Sequence, residues 1–434
     1  MTLPDVVVVG AGFAGIAAAT SLAERGARVQ LLETRQRPGG RAYSWIDSRN
    51  GEVRDNGQHV LAAFYDETWA LLRRIGTEGE LIADPAFRLR FWERGRGEYE
   101  LRCPNLLSPL HWIAAIAACR RLTLASRLAA ATVRSKVAAP LAGADLKLTV
   151  ARWLQREIRD PDLIAILAPL ALAALNEDPD SGSAALFARV LDQMLGAPSS
   201  KSGLALPRRG LGDLLTGFET YLESRGGSVR YRATVLGARV ESDRVSGVSL
   251  LGGERIDAGR VILAVPHERV TWLLRPELAL PFRDVASVPW SPIISTLHLY
   301  DRPVLPSRFI GLIGTPTQWA FDRGPVSDRA FAVGTVRSAA FRDAERPPQE
   351  IADETAGDLR EAFAAAGEAT LLRARVYKER RATMRATPET EPLRPPTRTH
   401  IEGLFLAGDW TDTGLPPTIE SAVASGHRAA RELR

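Results

Sequence analysis

The chain has 434 residues, 45% of them apolar and 25% charged, with 36 Gly and 28 Pro. That composition belongs to a globular protein with length for about two or three domains, and it excludes a disordered, collagen-like or coiled-coil chain. Lys+Arg 56 against Asp+Glu 51 leaves a net charge of +5, but the arginines are scattered rather than run together, so no nucleic-acid partner is expected.

Cys103 and Cys119 fit no zinc or iron–sulfur spacing, so a metal centre and a disulfide scaffold are not expected either. A reducing cytoplasm is the simplest setting. Asp5 directly precedes the Val6 to Val9 run with no basic region before it, which reads as a strand rather than a secretory signal. The apolar stretches Leu110 to Cys119 and Leu163 to Leu175 are shorter than the roughly 20 residues that cross a bilayer.

In chain order, the β-branched run Val6 to Val9 predicts a parallel strand buried on both faces. It feeds Gly10-Ala11-Gly12-Phe13-Ala14-Gly15 and a small-residue helix over 16–23, followed by a second strand, Ala27 to Leu32, that ends in Glu33 and Thr34. This is a βαβ unit for a dinucleotide. Gly10 allows the tight turn, Gly12 lets the backbone approach a pyrophosphate, Gly15 lets helix pack on strand, and Glu33 can hold the ribose hydroxyls. These residues alone leave NAD and FAD open.

Gln36 to Arg41 adds a second glycine pair, Gly39-Gly40, with the fixed cation of Arg41, and Asp55-Asn56-Gly57-Gln58-His59 follows. Leu110 to Ala139 reads as apolar helix interrupted by Arg120, Arg121, Arg127, Arg134 and Lys136. That pattern suits either an amphipathic helix resting on an anionic bilayer or helices packed on a domain core. Farther on, Val229 to Tyr231, Val235 to Glu241 and Val245 to Leu250 predict a β-meander closed by the strand Val261 to Val265. Ile293 to Tyr300, Phe331 to Val336 and Leu371 to Tyr377 predict strands, with a helix from Pro348 to near Ala366. Trp112, Trp153, Trp290, Trp319 and Phe321 are singly core candidates and together suit an apolar tunnel. At the far end Leu404 to Ala407 predicts a buried strand running into Gly408-Asp409-Trp410, and Thr418-Ile419-Glu420 opens a last helix through Ala430.

The glycine motifs at both ends resemble the FAD-containing amine oxidase and carotenoid desaturase superfamily. The resemblance narrows on Asp55-Asn56-Gly57-Gln58-His59, Pro109-Leu110-His111, Trp319 to Gly324, Leu393-Arg394-Pro395-Pro396 and Gly408 to Pro416. Together these are similar to the squalene-associated FAD-dependent desaturases, the hydroxysqualene dehydroxylases of hopanoid-linked pathways, with Pro417 and Ser421 standing where that group tends to have Ala and Gly. The resemblance implies an α/β fold: a Rossmann-like FAD domain of the glutathione-reductase type from segments 1–84, 205–274 and 395–434, with an α+β substrate domain from 85–204, expected helical, and 275–394, expected mixed.

It also implies FAD held by Gly10, Gly12, Phe13, Ala14, Gly15, Glu33, Thr34, Gly39, Gly40, Arg41, Gly57, Gln58 and His59, by the Val235 backbone near adenine, and by Gly408, Asp409, Thr418 and Ile419. Its implied reaction is reductive removal of the hydroxyl of hydroxysqualene, a hydrophobic isoprenoid, with a squalene-pathway synthase and peripheral membrane contact as further expected partners. His59 is the candidate proton donor, against a helix-start or flavin hydrogen-bonding role. The competing functions are a phytoene or carotenoid-type desaturase, a flavin amine oxidase, and a non-catalytic FAD- or lipid-binding partner.

Overall fold

The structure is a computed structural model describing residues 4–46, 53–141 and 147–433. Its first sheet has five parallel strands in the order Ser228–Arg230, Val29–Leu32, Val6–Val9, Val261–Leu263 and Leu404–Leu406. Residues 400 positions apart therefore lie two strands from each other.

The Val6–Val9 strand is buried on both faces, as its β-branched run requires. Val6 and Val8 pack with the helices on one side, and Val7 and Val9 with a small antiparallel sheet on the other. The predicted first helix is Phe13–Glu24, and its small residues let the last helix, Ile419–Glu432, approach closely. A Cβ on Gly426 would lie 2.1 Å from the Ala14 carbonyl oxygen, so no larger residue fits that crossing.

The predicted β-meander is corrected. Ser228–Arg230 joins the edge of the parallel sheet, and Val261–Leu263 sits between its first and last strands, because three wholly buried apolar residues need cover on both faces. The antiparallel sheet consists of Val235–Glu241, Arg244–Leu250 and Arg255–Asp257. Its third strand escaped the pattern because Ile256 is its one apolar residue.

The second large sheet has seven strands in the order Leu371–Met384, Trp290–Tyr300, Ala330–Arg337, Trp319–Ser327, Phe309–Ile313, Arg88–Glu93 and Gly97–Arg102. The segment from 85 to 204, expected to be helical, thus opens with a hairpin whose first strand pairs in parallel with Phe309–Ile313. Its arginines hid the inward alternation of Leu89 and Phe91. The stretch predicted as one apolar helical region divides into Leu110–Ala118, Leu124–Ala131 and Val133–Leu141, with Thr123 Oγ1 accepting the Ser126 amide at the second helix start. The helix from Pro348 stops at Ala362, and a short separate helix, Ala364–Glu368, follows.

Helices Pro161–Leu175 and Ala184–Gly196 join one apolar cluster with Phe91, Trp112, Trp153, Phe309, Trp319 and Phe321. Among the described residues no helix is long and apolar enough to cross a membrane.

Candidate functional site

The nucleotide end is a cradle of backbone. Gly10 has φ +104°, and a Cβ there would sit 2.4 Å from the Ala264 carbonyl oxygen. On Gly15 a Cβ would lie 1.8 Å from the Gly10 carbonyl oxygen and 3.2 Å from the Ala264 Cβ. Gly12 differs: its nearest neighbour to an added Cβ is the Gly40 Cα at 3.9 Å, so the space in front of it is free of protein.

No side chain caps the Phe13–Glu24 helix at Gly12, which leaves its first N–H groups, around Ala14, for an anion. The Gln36–Arg41 loop folds back over this turn, with the Gly39 amide donating to the Ala11 carbonyl at 2.8 Å. A Cβ on Gly40 would come within 3.3 Å of the Gly12 Cα. Beside them the Glu33 carboxylate accepts from the Ala11 and Arg35 amides, both at 2.8 Å. Thr34 Oγ1 bonds Thr234 Oγ1 at 2.6 Å, and the Ala233 amide donates to the Glu33 carbonyl, which brings the start of the Val235 strand next to the carboxylate.

The far end reaches the same place. Arg41 donates to the Asp409 carboxylate, whose side chain is 5% exposed, and to the Ala382 carbonyl at 3.0 Å. The Gly408 amide donates to Ser425 Oγ at 2.7 Å, and Trp410 Nε1 donates to the Val265 carbonyl at 2.8 Å, so the strand end is pinned to the helix after it and to its neighbour strand. Thr418 Oγ1 accepts the Ser421 amide and caps the last helix, placing Ile419 in its first turn.

Asp55 to His59 form the third wall. Asp55 ends the short strand Val53–Asp55 and Asn56 to His59 follow it in a loop, so the helix-start alternative for His59 is excluded. Arg323 donates to Gln58 Oε1 at 2.8 Å, and Asp55 Oδ1 accepts from Ser44 Oγ and the Leu211 amide. A Cβ on Gly57 would lie 3.4 Å from Ser295 Oγ, and one on Gly334 lies 3.2 Å from Gln58 Cγ, so this loop crosses the middle of the seven-stranded sheet. His59 Nδ1 is 3.3 Å from the Gly57 carbonyl oxygen. Burial pulls its pKa below the ordinary range, against the opposing pull of the Asp55 carboxylate.

Several residues of this region stood in the sequence motifs without a role assigned to them. Arg394, 6% exposed, donates to the Leu415 and Asp409 carbonyls at 2.6 and 2.7 Å. Ser421, one of the two departures from the expected pattern, joins the same network through Thr413 Oγ1 at 2.6 Å. Glu420 is buried and accepts from the Glu67 and Thr68 amides and from Thr68 Oγ1, capping the helix Asp66–Ile75 from the far end of the chain. Its place looked like an ordinary first-turn acid, and only the fold reveals its partner.

These residues fit FAD. A Cβ would fill the cradle in front of Gly12, the Glu33 carboxylate stands against the same turn, on the Ala11 amide, for ribose hydroxyls, and Ser295 Oγ beside Gly57 is buried without a hydrogen-bond partner among the described residues. Among the described residues no cluster of His, Cys, Asp or Glu could hold a metal ion.

Comparison with known proteins bears on the family, the fold and the cofactor. The profile of the flavin containing amine oxidoreductases matches residues 13–434. A protein of Rhodopseudomonas palustris named hydroxysqualene dehydroxylase is 31% identical over 98% of this chain and 97% of its own length. A 15-cis-phytoene desaturase of an Oncidium hybrid is 27% identical over 99% of this chain and 77% of its own. Among solved structures, an oxidoreductase from Methanosarcina mazei superposes with a TM-score of 0.75 at 17% identity, covering 98% of this chain and 99% of that one. Wild-type putrescine oxidase bound to putrescine superposes at 0.72 and 17% identity, over 100% of this chain and 99% of its own, which speaks to fold alone.

Proposed function

The chain belongs to the flavin containing amine oxidoreductase family, and from that premise we propose that it reduces hydroxysqualene to squalene. It is an FAD-dependent oxidoreductase; the substrate and the direction of hydride transfer are the proposal. The observation that carries it is the full-length likeness, at 31% identity, to a hydroxysqualene dehydroxylase, against 27% to a phytoene desaturase.

In the reaction the allylic C–O bond breaks and a C–H bond forms at the same carbon, one hydride and one proton are consumed, and water leaves. Reduced FAD, when bound, supplies the hydride. The chain's own residues have the remaining tasks. Glu33 holds the ribose, while Arg41 and the open N-terminus of the first helix offset the pyrophosphate charge. The cluster of Phe91, Trp112, Trp153, Phe309, Trp319 and Phe321 excludes water from a C–O bond that ionises, and it reaches Val60, adjacent to His59. Aromatic faces in such a cluster also favour a delocalised cation over a neutral chain.

His59 was the candidate proton donor. A ring whose pKa burial lowers is neutral at neutral pH, so in this proposal it hydrogen-bonds at the flavin-facing loop and is not the donor of the proton that the hydroxyl takes up as it leaves as water.

The test is anaerobic. Purified holoenzyme, reduced with dithionite, is given hydroxysqualene and assayed for squalene by gas chromatography; oxidised holoenzyme is given phytoene with a quinone, or an amine with oxygen. Squalene in the first tube alone supports the proposal. Desaturated phytoene or oxidised amine with no squalene refutes it.

A further inference from the structure

Residues 101–144 carry six cations, Arg102, Arg120, Arg121, Arg127, Arg134 and Lys136, and no acidic residue. Two of the six are used internally: Arg121 pairs with Glu93 and Asp162, and Arg127 donates to the Cys119 carbonyl. Arg102, Arg120 and Arg134 are exposed, Lys136 is half-buried, and none of the four forms an ion pair among the described residues. In a chain otherwise laced with arginine–carboxylate pairs, this stretch stands out as cationic and uncompensated.

The same stretch exposes apolar bulk. Among the described residues fourteen large apolar side chains are exposed, and six of them, Leu106, Leu107, Leu110, Ile113, Leu124 and Leu128, fall within 106–128. Leu107 is 82% exposed and Leu124 73%. Leu110 and Ile113 stand at i and i+3 on the Leu110–Ala118 helix, and Leu124 and Leu128 at i and i+4 on Leu124–Ala131, two helices in contact with each other. The opposite sides of these helices are also buried, through His111, Trp112 and Ala115 on one and Ser126 and Ala130 on the other. A helix on the surface of a globular domain should turn a polar face outward; these turn apolar faces outward, with exposed Arg120 in the turn that joins them.

We propose that this surface docks on an anionic lipid bilayer, with the six apolar side chains entering the headgroup boundary and Arg102, Arg120, Arg134 and Lys136 meeting lipid phosphates. The charge decides the occupant. A second copy of the chain would set these cations against their own kind, whereas an anionic leaflet attracts all of them. Trp112, on the inward side, belongs to the apolar cluster against which Val60 packs, so the docked face and the flavin-facing loop border the same core. The docking is independent of which substrate is reduced.

Flavin-loaded full-length protein should co-sediment with vesicles of phosphatidylcholine and phosphatidylglycerol far more than with phosphatidylcholine alone, and high salt should release it. Removing one cation near the surface should weaken partition by about fivefold, so the Arg120→Gln/Arg134→Gln double variant should lose roughly 25-fold. The Leu107→Ser/Leu124→Ser/Leu128→Ser variant should fail to sediment while keeping wild-type flavin absorbance and circular dichroism. All five positions are exposed, so neither variant removes a core contact.

Wild-type protein that ignores both kinds of vesicle overturns the proposal. So does equal binding by the wild type and the arginine variant, or a wild-type dimer, seen by light scattering, that the leucine variant dissociates without any vesicle binding by the wild type. If the leucine variant misfolds, the arginine pair, which buries nothing, decides the matter.

Discussion

Gly12→Ala and Gly15→Ala, two methyl groups three residues apart, should separate a glycine kept for the ligand from one kept for the fold. At Gly15 the new Cβ would stand 1.8 Å from the Gly10 carbonyl oxygen, where real Cβ contacts are essentially never under 3.0 Å, so the first helix must move off the Val6–Val9 strand. Overpacking of this kind costs about 1–3 kcal/mol, and more where the neighbour is backbone. At Gly12 the backbone is extended, φ −79° and ψ 178°, and the nearest atom is 3.9 Å away. That conformation suits alanine, and the change should alter stability by no more than about 0.5 kcal/mol. Its methyl group would instead fill the space in front of the helix start, displacing the pyrophosphate and weakening FAD binding by roughly tenfold to hundredfold if the overlap costs about 1.4–2.8 kcal/mol. The assay is urea unfolding of the apoprotein by circular dichroism, paired with FAD titration by flavin fluorescence. Gly12→Ala should be as stable as wild type yet bind FAD poorly, and Gly15→Ala should lose both. A Gly12→Ala protein that binds FAD like the wild type would refute the cradle.

His59→Gln should retain flavin and at least about a tenth of the dehydroxylation rate; a loss of 10²–10⁴-fold with full flavin content would restore the proton-donor role. Arg394→Met takes the buried donor from the Leu415 carbonyl, leaves the Asp409 carbonyl only the longer bond from Ser421 Oγ, and should destabilise the protein by about 1–3 kcal/mol in urea unfolding. Glu420 is an acid whose pKa burial raises above its ordinary 4.5. Its contribution to stability is therefore largest below that value and falls as pH rises through the raised folded pKa. Glu420→Gln should accordingly cost more stability at pH 5 than at pH 8, and a cost that grows with pH would contradict the assignment.

The nucleotide half was legible because its chemistry constrains backbone. Gly10, Gly12, Gly15 and Glu33 announce themselves by spacing, and Gly408-Asp409 by its place after a short buried strand; the sheet then brings the two ends together through Arg41 and Asp409. What holds them there was not legible. Arg394, Glu420 and Ser421 act through partners up to 353 positions away, and each at its own place has an ordinary surface reading. The meander failed for a related reason: Ser228–Arg230 and Val261–Leu263 have the local look of hairpin strands, and only burial on two faces, a property of the assembled sheet, assigns them to the parallel layer.

The substrate half offered little to read because so little of its chemistry resides in charged side chains. Where a bound flavin carries the electrons, the protein must supply shape, dryness and orientation, and these are written in apolar residues that look like any core. Trp112, Trp153, Trp319 and Phe321 are 0–8% exposed and could each be structural. Their meaning comes from contact: one cluster connects them to Val60, and the next residues toward the strand, Gly57 to His59, lie against Ser295 and Gly334 in the middle of the sheet. The direction of hydride transfer is not encoded in that arrangement, since the same apolar surroundings serve removal or delivery. It follows from whether the substrate arrives with a leaving hydroxyl, and this is why the two-armed anaerobic assay, rather than any single substitution, discriminates between dehydroxylation and desaturation.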